Sequence, residues 1–144
     1  MTPQSMPSAP MLITPLIVAG VFIAVCSLMK EPARRRFNAI FLAGAGAAYL
    51  SGGFGLWEFG FCAVITGLAY RGLEDYRAIA LGWLLHAGWD AAHHLWGHPI
   101  IPFASTSSLG CAICDPAIAL WFALGAPTIW ARRLAAAQGS SPDV

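Results

Sequence analysis

His86, Asp90 and His93 carry the side chains in the run Gly82 to Gly97 that could do chemistry together. Their spacing is i, i+4, i+7, so at about 100° per residue a helix gathers them within roughly 60° on one face. Gly82 and Gly97 extend that stripe, and His94 sits at its edge. The residues between them are apolar enough for a bilayer, where ionisable groups are costly and turn toward protein interior, a cavity or each other. Imidazole and carboxylate are ligands for zinc and its neighbours at about 2.0–2.2 Å. His86, Asp90, His93 and His94 are therefore read as candidate ligands of a divalent transition metal, with zinc the first choice. Glu58 is read as a further ligand or as the general base that activates a metal-bound water. Two other readings of this face stay open: a buried hydrogen-bond network with Tyr49 or Ser51 as partners, and a proton or ion path.

A second group follows in His98, Cys111, Cys114 and Asp115. Cys111-Ala112-Ile113-Cys114 is a C-x-x-C in a stretch expected outside the membrane, where a loop disulfide or a thiol-based metal or redox site are the options. His98 and a histidine of the fourth span could complete such a site. Asp115-Pro116 reads as an N-cap followed by proline at the first helical position. Cys26 and Cys62 fall inside spans and act as small apolar residues. A haem is not expected, because histidines on one helix would need two subunits to ligate it from both sides.

The elements that must position these residues are membrane spans. Of the 144 residues 58% are hydrophobic and 10% charged, against about 25% charged in a soluble domain. Net charge is +1, and no basic run interleaved with aromatics suggests nucleic acid. At roughly 20 residues per crossing, the pattern predicts an all-α, polytopic membrane bundle of about five transmembrane helices. The spans fall over 11–29, 37–54, 57–73, 77–97 and 115–131, within one domain covering 11–133 and between flexible tails 1–10 and 134–144. Met11 to Met29 is read as a retained first span, since residues 1–10 lack a basic n-region and the apolar run is long for a signal peptide. Pro15 falls in its first turn, where it is tolerated. The small-residue run Ala43 to Ala48 suits close helix packing.

Basic residues fall at 30–36, at 71–77 and at Arg132 and Arg133, while the 51–58 and 98–115 loops have none. The excess of lysine and arginine inside then puts the N-terminus outside, the C-terminus in the cytoplasm, and Glu58, Asp90, His93 and Asp115 in the outer half.

Lys30 to Phe41, Gly82 to Gly97 and Ser107 to Pro116 together resemble an uncharacterised family of small bacterial integral membrane proteins, a domain of unknown function. The resemblance implies a multi-pass protein of the bacterial cytoplasmic (inner) membrane and carries no activity or cofactor with it. The functional expectation is a membrane metalloprotein, a metal-dependent hydrolase acting on a small-molecule or lipid substrate. The alternatives are an oligomeric transport or permeation module and a structural or assembly subunit. The expected partners are the lipid bilayer and further copies of the chain.

Overall fold

The computed structural model describes residues 8–50 and 53–130, and among them every regular element is a helix. Helix α1 spans Ala9–Cys26 and is apolar throughout. It starts two residues earlier than expected, so Pro15 lies inside it rather than in the first turn. Among the described residues, α1 is the helix long and apolar enough by itself to cross a membrane.

Helix α2, Ala33–Ala47, begins four residues before the predicted span and includes the arginines. Positive charge in a first helical turn opposes the helix dipole, and here partners offset it. Arg34 Nη2 pairs with Glu31 Oε1 at 2.8 Å, and Arg35 Nε donates to the Leu73 carbonyl at 3.0 Å. The helix ends at Ala47, well short of position 54, which leaves Tyr49 in the turn that follows. Helices α3, Leu56–Gly72, and α4, Tyr76–Trp96, each lie within a residue of expectation. Asp75 caps α4 by accepting from the Arg77 N–H at 2.8 Å.

Helix α5 departs most, running Ser107–Ala123 rather than 115–131. Asp115 is thus no N-cap and Pro116 no first-turn proline: both sit mid-helix, with the proline exposed and the aspartate buried. The C-terminal end is a Schellman motif. Gly125 takes φ +82°, its N–H donates to the Phe122 carbonyl, and the Ala126 N–H reaches back to Trp121 O, both at 2.9 Å. Arg132 and Arg133, which entered the orientation argument, lie outside the described residues, as do Ser51 and the end tails 1–7 and 131–144.

Helix α4 is the hub, packed most extensively on α5 and also on α3 and α2, while α1 lies along α5. Glycines set three close helix approaches, one of them that of α2 on α3. A Cβ at Gly46 would come within 2.5 Å of Ile65, one at Gly72 within 2.5 Å of Ile79, and one at Gly82 within 2.4 Å of Leu42. Polarity is distributed inside-out. Ile17, Leu28, Ile40, Trp57 and Leu120 are exposed, whereas Asn38, Glu58, His86, Asp90, His93 and Asp115 are buried.

Candidate metal centre

Helix α4 delivers His86 and Asp90 one turn apart, and α5 brings Asp115 against them. His86 Nδ1 lies 2.8 Å from Asp90 Oδ2 and 3.0 Å from Asp115 Oδ2. These ligand atoms all lie within 4.8 Å of one another, so the buried group could hold a metal ion. The other ring nitrogen, Nε2, is 3.0 Å from the Ala45 carbonyl. A carbonyl only accepts, so Nε2 carries a proton, and the contacts of Nδ1 with the two carboxylates need either a second proton or a cation between them.

Asp90 is oriented from its far side. Its Oδ1 accepts from the Tyr49 hydroxyl at 2.6 Å, and Tyr49 is 2.8 Å from Ser108 Oγ. A phenol has one proton to give. With that proton on Asp90, the serine hydroxyl donates to Tyr49 and itself accepts from the Ile100 N–H at 3.0 Å. A relay from the α5 entry loop thus ends on one carboxylate oxygen and leaves the other free to face His86 and Asp115.

The remaining expected residues are not part of this group. His93 Nε2 lies 3.1 Å from Glu58 Oε1 but off the line of a hydrogen bond, and its Nδ1 is 3.2 Å from the His98 carbonyl. Glu58 accepts from the Phe54 N–H and from Trp89 Nε1, both at 3.1 Å. This second cluster touches the first through Tyr49, whose ring stacks on His93 with centroids 3.9 Å apart. Position explains the separation: His93 is nearly two turns beyond His86, level with the start of α3. His94 is exposed on the outer side of α4, and His98 is exposed in the loop. Cys111 and Cys114 are not in a loop and not bridged. They are free thiols one turn apart on α5, where the helix starts ahead of them, which corrects both the disulfide and the outer-loop site.

Asp115 and Ser108 are what the sequence reading misplaced. Ser108, Cys111 and Asp115, spaced i, i+3, i+7, likewise lie within roughly 60° of one another on a helix. That signal was hidden behind the Asp-Pro pair.

His86 and Asp115 border a cavity of about 640 Å³ together with Cys111, Cys114 and the Trp83 ring. Its volume is in the range of about 300–1,000 Å³ typical of small-molecule sites.

Fold and site together define a class: an all-helical bundle that buries one imidazole and two carboxylates in mutual contact beside an apolar cavity. Within that class the chain belongs to the Family of unknown function (DUF6010), whose model matches residues 10–128. No curated protein and no solved structure matches the chain.

Proposed function

We propose that this protein is a multi-pass inner-membrane metalloprotein that binds one divalent transition ion at His86, Asp90 and Asp115 and uses it for hydrolysis. The observation that carries this reading is the buried group itself, one imidazole nitrogen and two carboxylate oxygens, with the far sides of His86 and Asp90 already taken by Ala45 and Tyr49. Its charge argues for a cation. Two ionised aspartates beside a neutral histidine leave two negative charges in a low-dielectric interior, each costing several kcal/mol, and a divalent ion cancels both.

Spacing agrees. Donors about 2.1 Å from a shared ion stand about 3.0–3.4 Å apart in a four-coordinate site, so the two contacts of His86, 2.8 and 3.0 Å, need to open by only tenths of an ångström, with the two carboxylates, within 4.8 Å of each other, adjusting to the ion. The Nε2–H bond to Ala45 and the Tyr49 bond to Asp90 are the outer hydrogen bonds that orient metal ligands. Three protein donors leave a fourth position, as catalytic zinc sites do, and the cavity lies beside His86 and Asp115. A bound ion would polarise a carbonyl or phosphoryl oxygen and lower the pKa of a water to about 7. Glu58 is assigned a positioning role: it holds Trp89 and adjoins His93, which braces Tyr49.

Zinc is the ion we assign, since it takes both imidazole and carboxylate donors. Membrane placement is supported by the inside-out polarity of the bundle and by the length and apolarity of α1.

Elemental analysis of chelator-free, detergent-purified protein tests the reading. About one equivalent of metal is expected, retained in Glu58→Gln and lost in Asp115→Asn. Less than about a tenth of an equivalent in the parent protein would sink it. A second reading has one observation in its favour, that both nitrogens of His86 already have partners. A doubly protonated His86 clamped by two aspartates would then tie α4 to α5 without any ion.

A further inference from the structure

Between α1 and α2 the bundle is loosely closed. Helix α1 lies along α5, and it reaches α2 and α4 through side chains, with the Phe22 ring 5.4 Å from Phe41 and 6.3 Å from Trp83. Beyond these rings lies the cavity, lined by Val18 of α1, Ile40 and Gly44 of α2, Ile118 of α5, and the polar pair His86 and Asp115. Val18, Ile40 and Phe41 are 54%, 68% and 45% exposed, so the mouth opens sideways through apolar residues rather than at a polar end. Trp83, 4% exposed, also lines it, and its indole N–H has no hydrogen-bond partner. A buried donor without an acceptor is costly, and because the ring borders the cavity a modest rotation would bring its N–H to an acceptor on an occupant.

We infer that the cavity takes a single-chain lipid from the bilayer, its hydrocarbon tail between α1 and α2 and an oxygen-bearing ester or amide head at Trp83, His86 and Asp115. The sideways mouth would admit a molecule already dissolved in the membrane. The apolar wall holds its chain, and the acceptor oxygen satisfies Trp83. The inference deepens the proposed function by naming the substrate class of that site, and it rests on the membrane placement argued there.

Gly44 supplies the test. It lines the cavity, and a Cβ there meets nothing within 4 Å, so a side chain can leave the backbone freely at this point and Gly44→Phe is the cavity-filling variant. Gly60 on α3 is equally open and does not line the cavity, so Gly60→Phe is the control. Full-length protein in detergent is irradiated with a diazirine-bearing monopalmitoylglycerol, and the crosslinked peptides are mapped by mass spectrometry. Label is expected on the α1, α2 and α5 segments that hold Phe22, Phe41 and Ile118. Unlabelled monopalmitoylglycerol should compete, and monobutyrylglycerol, with the same head and a short chain, should not. Yield should fall roughly tenfold, the equivalent of one decade in affinity, in Gly44→Phe and hold in Gly60→Phe. If Gly44→Phe does not fold, Val18→Trp at the rim serves the same purpose.

Equal yields in the cavity-filling and control variants, or label spread over the outer face of α3, would overturn the inference. Metal content separates the two readings. Protein that binds metal but labels indiscriminately overturns the lipid site alone, and protein that labels in the cavity without metal overturns the metal centre alone.

Discussion

At the scale of single residues, the centre depends on groups that hold its ligands from behind. Tyr49→Phe removes one hydroxyl and nothing else, yet that hydroxyl gives the 2.6 Å bond that fixes Asp90. Loss of such an outer hydrogen bond typically lowers metal affinity about 10–100-fold, and a competition titration against a zinc chelator should show a drop of that size. Wild-type affinity in Tyr49→Phe would mean that Asp90 is not a ligand. His86 and Asp90 could be read from the sequence because one helix turn fixes their proximity whatever the rest of the chain does. Asp115 is of another kind. Its meeting with His86 is a tertiary fact, set by how α5 lies on α4, and its Asp-Pro context resembles a helix start strongly enough to hide it. The grouping of His93 with His86 came from the shared helix face. Facing the same way does not bring side chains seven residues apart onto one ion, and the neighbours of His93 are instead those at the start of α3.

At the scale of the elements, glycine decides how near the helices come. Gly46→Ala and Gly82→Ala both place a methyl group inside a neighbour, but the neighbours differ. At Gly46 the obstacle is the β-branched Ile65, whose Cβ would be 2.7 Å away, while at Gly82 it is the far end of Leu42. A branched side chain is stiff at χ1, so Ile65 has less room to yield. Overpacking costs about 1–3 kcal/mol, with Gly46→Ala expected at the upper end, Gly82→Ala lower, and Gly44→Ala without penalty. Thermal unfolding in detergent should rank the three in that order, and an unperturbed Gly46→Ala would refute the close α2–α3 approach. The small-residue run on α2 was legible as a packing surface, although composition alone could not tell Gly46, which touches Ile65, from Gly44, which faces the cavity. The ends of α5 were not legible. Its start is carried by backbone turns around Ser107 without a side-chain cap. Its end is a left-handed Gly125, six residues before the predicted end at 131.

At the scale of the whole molecule, charge and apolar surface are sorted by position, and this sorting has consequences at both ends. The 30–36 and 71–77 turns meet at one end. Tyr76 donates to Glu31, Arg34 pairs with the same carboxylate at 2.8 Å, and the Arg35 guanidinium sits 5.8 Å from the centre of the Tyr76 ring. Partial burial works against ionisation of Glu31, but the bonds from Tyr76 and Arg34 and the charges of Arg34 and Arg35 outweigh it and hold the carboxyl below its ordinary 4.5. A depressed folded value stabilises fully above the unfolded value and is lost as pH falls through the folded one. The unfolding temperature of Glu31→Gln should therefore lie below that of the parent near neutrality and converge with it only once the pH has fallen through the depressed value of the folded carboxyl. A gap that persists into acid would show that Glu31 acts without its charge. The opposite end carries the 53–55 turn and the loop after α4, joined where His98 lies beside Gly53 and His93 reaches the His98 carbonyl. If the proposed five crossings hold, these two ends lie on opposite sides of the bilayer, and the lysine and arginine of the first end place it in the cytoplasm. Two residues report this directly. In a cysteine-free background, Ser105→Cys should react with a membrane-impermeant maleimide in intact spheroplasts, and Glu74→Cys should react only after lysis. Helices α2, α3 and α5 have 15, 17 and 17 residues and measure about 22–26 Å at 1.5 Å per residue, short of the roughly 30 Å hydrocarbon core. A bundle this short must thin the membrane locally or draw its neighbouring loops inward. Labelling of both cysteines from the same side would remove the multi-pass arrangement, and with it the sideways route by which a lipid would reach His86.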